Sequence, residues 1–131
     1  MKNIFKGNMY YADLEPVVGS EEGGSRPVIV VQNNVGNKYS TTILVAPITS
    51  KKDGRTKIPT HVELKAKNKI KHDSIILLEQ VRVIDKARLK SFLGRIEYEQ
   101  MKQLDIALIA AFGIDINNYM IELENKGEKY E

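Results

Sequence analysis

The residues that could carry chemistry in this sequence are one arginine and a pair of hydroxyls beside strand-like segments. Arg26 follows a glycine- and serine-rich stretch at 17–25 (VVGSEEGGS) and precedes a β-branched segment. Thr49 and Ser50 end another hydrophobic segment, which begins at residue 42. If the two segments are neighbouring strands, the guanidinium and the hydroxyls can converge at one place.

Such a set suits the cleavage of RNA by its own 2′-hydroxyl. The substrate supplies the nucleophile, so the protein has to orient or deprotonate it, stabilise charge on phosphorus and protonate the 5′-oxygen. An arginine fork matches two phosphate oxygens, and a threonine hydroxyl adds a neutral donor. A structural interpretation stays open, because Arg26 could pair with Glu21 or Glu22 and Thr49 could be a turn-forming hydroxyl.

Other catalytic classes have little support in the sequence. The chain has no cysteine, which excludes disulfides, thiolate metal ligands and a cysteine nucleophile. His61 and His72 lie outside any metal-binding motif, so we predict no metal site and no cofactor. We expect His61 to be an ordinary residue on a strand face. The glycine-rich segment lacks the lysine and the spacing of a nucleotide-binding P-loop.

Composition and charge fit a small globular protein with a basic region. The 131 residues are 42% hydrophobic and 28% charged, without a membrane-length apolar run or a secretory signal, so we expect a cytoplasmic protein. The formal net charge of +3 is uneven, since residues 51–71 contain eight lysines and arginines against two acidic residues. A basic patch can bind a polyanion, although it can also be a solvated face.

Hydrophobic patterning predicts several short strands followed by one long helix. An amphipathic helix is predicted over 97–112, ended by Gly113, and a short helix over 86–92, capped by Asp85. Pro47 suggests a strand edge or a bulge. The strands are predicted at 9–14, 28–31, 42–49, 60–64 and 74–84, with a turn at 33–37.

Short consecutive strands and a final helix predict an α+β fold with a strongly bent antiparallel sheet or a small barrel. We assign residues 1–113 to one domain and 114–131 to a C-terminal extension. Within the extension, residues 114–123 carry apolar side chains that could pack, and residues 125–131 have the composition of a frayed or disordered end.

Several blocks, in order, resemble the MazF/PemK-type toxins of bacterial toxin–antitoxin modules, closest to the MazF of Gram-positive bacteria. The resemblance runs from about residue 6 to about residue 112. Its blocks are GNMYYADL at 7–14, PVVGSEEGGSRPV at 16–28, QNNVGN at 32–37, VAPITS at 45–50, PTHV at 59–62, DSIILLEQVR at 73–82 and IDKARL at 84–89.

The resemblance implies a five-stranded SH3-like barrel with a C-terminal helix, MazF/CcdB-like, usually as a homodimer. It implies a sequence-specific, metal-independent endoribonuclease that cleaves single-stranded mRNA, leaves 2′,3′-cyclic phosphate and 5′-hydroxyl ends, and so inhibits translation and growth. It also implies a MazE-like antitoxin whose acidic, disordered segment neutralises the toxin.

The family's essential arginine falls on Arg26 and its essential threonine on Thr49. In the family, the arginine serves as acid/base and charge-stabilising group, and the threonine hydrogen-bonds the scissile phosphate. Because an arginine is almost always protonated, we favour Arg26 as an electrostatic clamp and acid. The positions that match RNA-groove residues of relatives are Ser20, Glu21, Asn33, Ser50, Glu79 and Gln80.

Two other functions are compatible with such a barrel. The related CcdB toxins share the fold and poison DNA gyrase without cleaving RNA, since fold does not fix function. Their action commonly uses an exposed C-terminal tryptophan, and this chain has no tryptophan. A non-catalytic RNA-binding module would bind RNA without forming cyclic-phosphate products.

Overall fold

The computed structural model of the chain describes residues 3–51, 58–67 and 69–127. All strand pairs are antiparallel, in the order β4-β5-β3-β2-β1-β7, with β6 paired to β3. The predicted α+β class is confirmed, with seven strands in the described part where five were predicted. The elements are β1 (Asn8–Asp13), β2 (Ser25–Val30), α1 (Asn34–Tyr39), β3 (Thr42–Ser50), β4 (His61–Leu64), β5 (Ser74–Leu77), β6 (Arg82–Asp85), β7 (Leu89–Arg95), α2 (Tyr98–Phe112) and α3 (Ile116–Asn125).

The sheet folds around β3, which pairs with three other strands. Its first half pairs with β6 up to Val45, its centre pairs with β2, and its end pairs with β5 from Ile48 onward. Pro47 falls between the last β6 pair and the first β5 pair, where a missing N–H is tolerated. The predicted edge is therefore local: Pro47 pairs with Val28 of β2 on one side, and on the other side it lies outside both the β6 pairs and the β5 pairs.

Both faces of β2 are buried, which explains its uninterrupted β-branched run. Ile29 belongs to a core cluster with Ile76 of β5 and Leu104 of α2. Val28 and Val30 face a second cluster on the opposite side of the sheet. Residues 28–30 of β2 are thus anchored between two cores, and Arg26 lies two residues before them.

The predicted strand at 74–84 is interrupted. A 3-10 turn at Leu78–Gln80 separates β5 from β6. Leu78 stays buried, while Glu79 and Gln80 turn outward and hydrogen-bond with Thr60 and with the backbone of Glu22. Two consecutive polar residues, Glu79 and Gln80, interrupt the apolar pattern here, but that interruption alone does not distinguish a 3-10 turn from a half-exposed stretch of one long strand.

The predicted helix at 86–92 was wrong. Asp85 does cap a turn, accepting from the backbone N–H of Ala87 at 2.8 Å, but this 3-10 turn ends at Arg88. The chain continues as β7 and pairs with β1, where the Phe92 ring packs edge-on against Tyr10 with centroids 5.5 Å apart. Pairing with a distant strand overrides the local helix signal.

The predicted turn at 33–37 is the start of the short helix α1. The side chain of Asn33 accepts from the backbone N–H of Gly36 at 2.8 Å and caps the helix. The amide of the buried Asn37 donates to the carbonyl of Gln32 at 2.9 Å. Asparagines that suggest a turn therefore nucleate a helical turn here.

The long helix is confirmed as α2. Glu97 and Gln100 form a capping box at its start, and Gly113 ends it in the left-handed region at φ 66°. A contact with Lys67 lowers the pKa of the exposed Glu97 carboxyl.

The predicted extension contains α3, which Asp115 caps and which has no buried residue. The domain boundary at 113/114 stays a prediction, and residues 128–131 of the predicted frayed end lie outside the described residues. In the described ranges, no single helix is long and apolar enough to span a membrane. Taken together, α2 and α3 have the length and apolar composition of a span, but the two helices are bent by 91° relative to each other.

Candidate active site

Arg26, at the start of β2, is held by two contacts within the β1–β2 connection. Its Nε donates to the carbonyl of Gly23 at 2.8 Å, and its Nη1 lies 3.3 Å from Oε1 of Glu22. Of the two carboxylates considered as partners, Glu22 makes the pair, whereas Glu21 accepts from the backbone N–H of Val18 at 2.6 Å. Arg26 therefore does form the ion pair that the structural interpretation expected, and this pair is compatible with a chemical role as well.

The ends of β2 and β3 bring Arg26 and Thr49 into one groove. The β2–β3 pairing ends at Val28 and Pro47, and extending its register by two residues leads to Arg26 and Thr49. Both residues line a groove of about 350 Å³, together with Ser50. Thr49 itself is 5% exposed and pairs with Ile75 of β5. The sequence-predicted guanidinium and hydroxyls therefore share one surface, which we call the basic groove.

Two lysines and a histidine from the β4–β5 connection complete the basic groove. Lys69, Lys71 and His72 line it, and no carboxylate from the described ranges does so. The hydroxyl of Ser74 donates to the carbonyl of His72 at 2.8 Å, which fixes the end of this connection. Such a lining attracts anions. The sequence had singled out the lysine-rich region but not His72, whose approach to Thr49 depends on the β3–β5 pairing.

A second groove, of about 630 Å³, has the opposite character, and we call it the acidic groove. The backbone N–H of Glu22 donates to Oε1 of Gln80 at 2.8 Å and joins its two walls. Because Glu22 also contacts Arg26, the two grooves meet at this ion pair. The polar residues that line the acidic groove are Ser20, Glu21, Glu22, Glu79, Gln80 and Arg82.

Glu79 is held by two residues of the neighbouring chain segment. Its carboxylate accepts from Oγ1 of Thr60 at 2.9 Å and lies 3.0 Å from Nε2 of His61. Burial opposes ionisation of Glu79, but hydrogen bonds from His61, the backbone and Thr60 together hold its pKa below the ordinary value of 4.5. His61 is buried and fixes a groove residue, so it does more than the ordinary strand-face residue that we expected.

The depressed pKa of Glu79 predicts a stability effect at acid pH. A carboxyl whose pKa is lower in the folded state stabilises the fold above its unfolded pKa, and this contribution is lost as pH falls through the folded value. We expect Glu79→Gln to lower Tm most at neutral pH, with the Tm difference from wild type shrinking below about pH 4.5. Thermal melts of both proteins from pH 3 to pH 7 test this; a Tm difference that is constant with pH contradicts it.

The remaining predicted site residue lies apart. Asn33 is exposed, caps α1 and is not among the residues that line either groove. Residues 52–57 of the basic region lie outside the described ranges. Among the residues that the structure describes, no group of three or more histidines and carboxylates could hold a metal ion.

The fold has close counterparts among solved structures. A MazF from Deinococcus radiodurans superposes with a TM-score of 0.74 and 21% identity, covering 87% of this chain and 100% of that one. An endoribonuclease from a mycobacterial species, solved with its cognate antitoxin, superposes with a TM-score of 0.70 and 22% identity. The match covers 85% of this chain and 96% of that one. The Mycobacterium tuberculosis toxin MazF-mt6 superposes with a TM-score of 0.69 and 24% identity, covering 82% of this chain and 98% of that one. At these identities the likeness establishes the fold.

A family model decides the membership of the chain. The model of the PemK-like, MazF-like toxins of type II toxin–antitoxin systems matches residues 5–112, which include all the strands of the described part, α1, α2 and both grooves. α3 lies beyond the match. The chain therefore belongs to the PemK-like, MazF-like toxin family of type II toxin–antitoxin systems.

Proposed function

We propose that the protein is the toxin of a toxin–antitoxin module and acts as a sequence-specific, metal-independent endoribonuclease on single-stranded RNA. The observation that carries the proposal is the basic groove, in which Arg26 and Thr49 share a surface that no described carboxylate lines. The fold counterparts named endoribonuclease and MazF support the same activity.

In the proposed reaction, the scissile phosphate binds between Arg26 and Thr49. The 2′-hydroxyl passes its proton to solvent water as its oxygen attacks phosphorus, and the new P–O2′ bond closes a cyclic phosphate. The P–O5′ bond breaks as the 5′-oxygen takes a proton from the Arg26 guanidinium, which water then reprotonates. The Arg26 guanidinium stabilises the extra negative charge of the phosphorane, and the Thr49 hydroxyl donates to a phosphate oxygen. The products are a 2′,3′-cyclic phosphate and a 5′-hydroxyl.

The acidic groove suits the bases of the same strand. Carboxylates repel phosphates but accept hydrogen bonds from the N–H groups on base edges, and unstacked RNA exposes those edges. Ser20, Glu21, Glu79 and Gln80 are the proposed base-reading residues, beside Ser50 in the basic groove. Asn33 remains a candidate only if RNA extends as far as α1.

The proposal includes a cytoplasmic homodimer and a MazE-like antitoxin. MazE–MazF complexes from Deinococcus radiodurans have this fold in the toxin chain, with a TM-score of 0.67 in one crystal form. An acidic, disordered antitoxin segment matches the charge of the basic groove and would block RNA there. A stoichiometric acidic partner that abolishes cleavage supports this inference, and full activity in its presence contradicts it.

The activity is tested by incubating purified protein with a long single-stranded RNA in EDTA. We expect discrete fragments whose ends share one short sequence motif. Binding of RNA without any fragments would favour the non-catalytic module. A folded protein that neither binds nor cuts RNAs of varied sequence would contradict the proposal and return attention to a protein target such as DNA gyrase.

A further inference from the structure

The Glu22 carboxylate contacts the guanidinium that a substrate phosphate is proposed to contact. Its Oε1 lies 3.3 Å from Nη1 of Arg26, and the side chains of Arg26 and Glu22 are 27% and 15% exposed. Carboxylate and phosphodiester oxygens compete for the same N–H donors. We infer that Glu22 determines RNA affinity, because a phosphate must take Nη1 of Arg26 from this carboxylate to bind at full strength. The inference rests on the proposed function.

Arg26 cannot avoid this competition by presenting its other edge. Its Nε already donates to the carbonyl of Gly23 at 2.8 Å, and this bond fixes the plane of the guanidinium. A two-bond contact with a phosphate therefore uses the two terminal nitrogens, and Nη1 is the one that Glu22 contacts. A phosphate on this fork lies beside the Glu22 carboxylate, which repels it and competes for the N–H donors of Nη1.

The surrounding hydrogen bonds hold Glu22 near Arg26 independently of the ion pair. The backbone N–H of Glu22 donates to Oε1 of Gln80 at 2.8 Å. At the end of the connection, the backbone N–H of Gly24 donates to Oε2 of Glu15 at 2.5 Å, and the backbone N–H of Leu14 donates to the carbonyl of Gly24 at 3.0 Å. The carboxylate is thus presented to Arg26 by a fixed backbone.

The charges determine the direction of the effect. Glu22 partly neutralises Arg26 and places a negative charge where the grooves meet, so it opposes a bound phosphate. Glutamine at this position keeps the length, the shape and the backbone N–H but removes the charge. In this variant Arg26 keeps its Nε bond to the carbonyl of Gly23 and Thr49 is unchanged, so the expected change is mainly in substrate affinity.

The test compares Glu22→Gln with wild type on an RNA whose cleavage site has been mapped. We expect KM to fall by about 5- to 20-fold and kcat to change by less than about threefold. Glu99→Gln is the control, since Glu99 lies on α2, is 76% exposed, pairs with Lys102 at 3.4 Å and lines neither groove. Its KM should stay within about twofold of wild type, as expected for an exposed ion pair.

Three outcomes would overturn the inference. An unchanged or higher KM in Glu22→Gln would mean that Glu22 does not compete with phosphate. A collapse of kcat would make Glu22 a group that positions Arg26 or moves a proton. An equal fall of KM in Glu99→Gln would reduce the effect to net charge.

A measurement without cleavage separates this inference from the proposed function. Inorganic phosphate is titrated into ¹⁵N-labelled protein while the Arg26 side-chain N–H signals, assigned by their loss in Arg26→Ala, are followed by NMR. The signals should respond at a lower phosphate concentration in Glu22→Gln than in wild type. An equal response overturns the inference, whereas a wild-type protein that cleaves no RNA contradicts only the proposed function.

Discussion

Replacing Arg26 with alanine should reduce RNA cleavage by at least about 10³-fold while leaving the fold intact. Charge-stabilising arginines in phosphoryl transfer contribute about 10³–10⁵ in rate. The guanidinium makes one hydrogen bond to Gly23 and one part-buried ion pair with Glu22, so its loss should cost about 1–3 kcal/mol of unfolding free energy. Cleavage rates and Tm measured on the same preparation test both halves of the prediction.

Arg26→Lys is the matched variant for this prediction. Lysine keeps the positive charge but has no planar fork, so its activity should lie between those of wild type and Arg26→Ala. Wild-type cleavage by Arg26→Ala would move the active site away from the basic groove. A loss of activity with a large fall in Tm would show that the substitution acts through the fold.

Thr49→Val should reduce cleavage by about 10²–10³-fold, the effect of removing one donor from a developing oxyanion. Valine keeps the β-branched shape at a position that is 5% exposed within β3. The expected loss of stability is about 1 kcal/mol, the usual scale for one hydrogen bond. Single-turnover rates at saturating protein separate this loss from a change in RNA binding.

Thr49→Ser provides the control, because it restores the hydroxyl and removes only a methyl group. We expect at least about a tenth of wild-type activity from it, far above the level of Thr49→Val. Equal activity of the valine and serine variants would mean that the hydroxyl does not contact the scissile phosphate.

The convergence of Arg26 and Thr49 could be predicted because it needs only that two consecutive strands are neighbours. Consecutive antiparallel strands pair often, and the β-branched run at 28–31 marks a strand with two buried faces. The contact between Arg26 and Glu22 was foreseen only as one of two choices. The selection of Glu22 depends on Gln80, which lies far away in the sequence.

The features that could not be predicted depend on contacts between distant segments. The 3-10 turn at Leu78–Gln80 contains two polar residues that a half-exposed strand could also carry, and its side-chain partners Thr60 and His61 belong to another part of the chain. The strand β7 was not predicted for the same reason. The Asp85 cap is a local signal for a helix, but the residues after the turn pair with β1 and are extended. Both errors come from tertiary pairing that overrides local signals.

In the C-terminal extension, the helix α3 could be predicted from the sequence but its contacts could not. Ile116 and Ile121 of α3 are 40% and 54% exposed. The helix therefore carries apolar side chains without burying any of its residues in the described part of the chain. Periodicity could predict a helix there, but it could not predict what the helix contacts. The boundary at 113/114 is therefore still a prediction about organisation.

The most direct test of the central claim replaces the proposed nucleophile. After the cut site in a short single-stranded RNA is mapped, the same RNA is made with one 2′-deoxy nucleotide immediately 5′ of the cut and incubated with wild-type protein in EDTA. We expect the unmodified RNA to give a 2′,3′-cyclic phosphate and a 5′-hydroxyl, and the modified RNA to bind but stay intact at that position. Cleavage of the modified RNA at the same bond, or a 5′-phosphate product, would show that water is the nucleophile and would contradict the proposed role of the Arg26–Thr49 site.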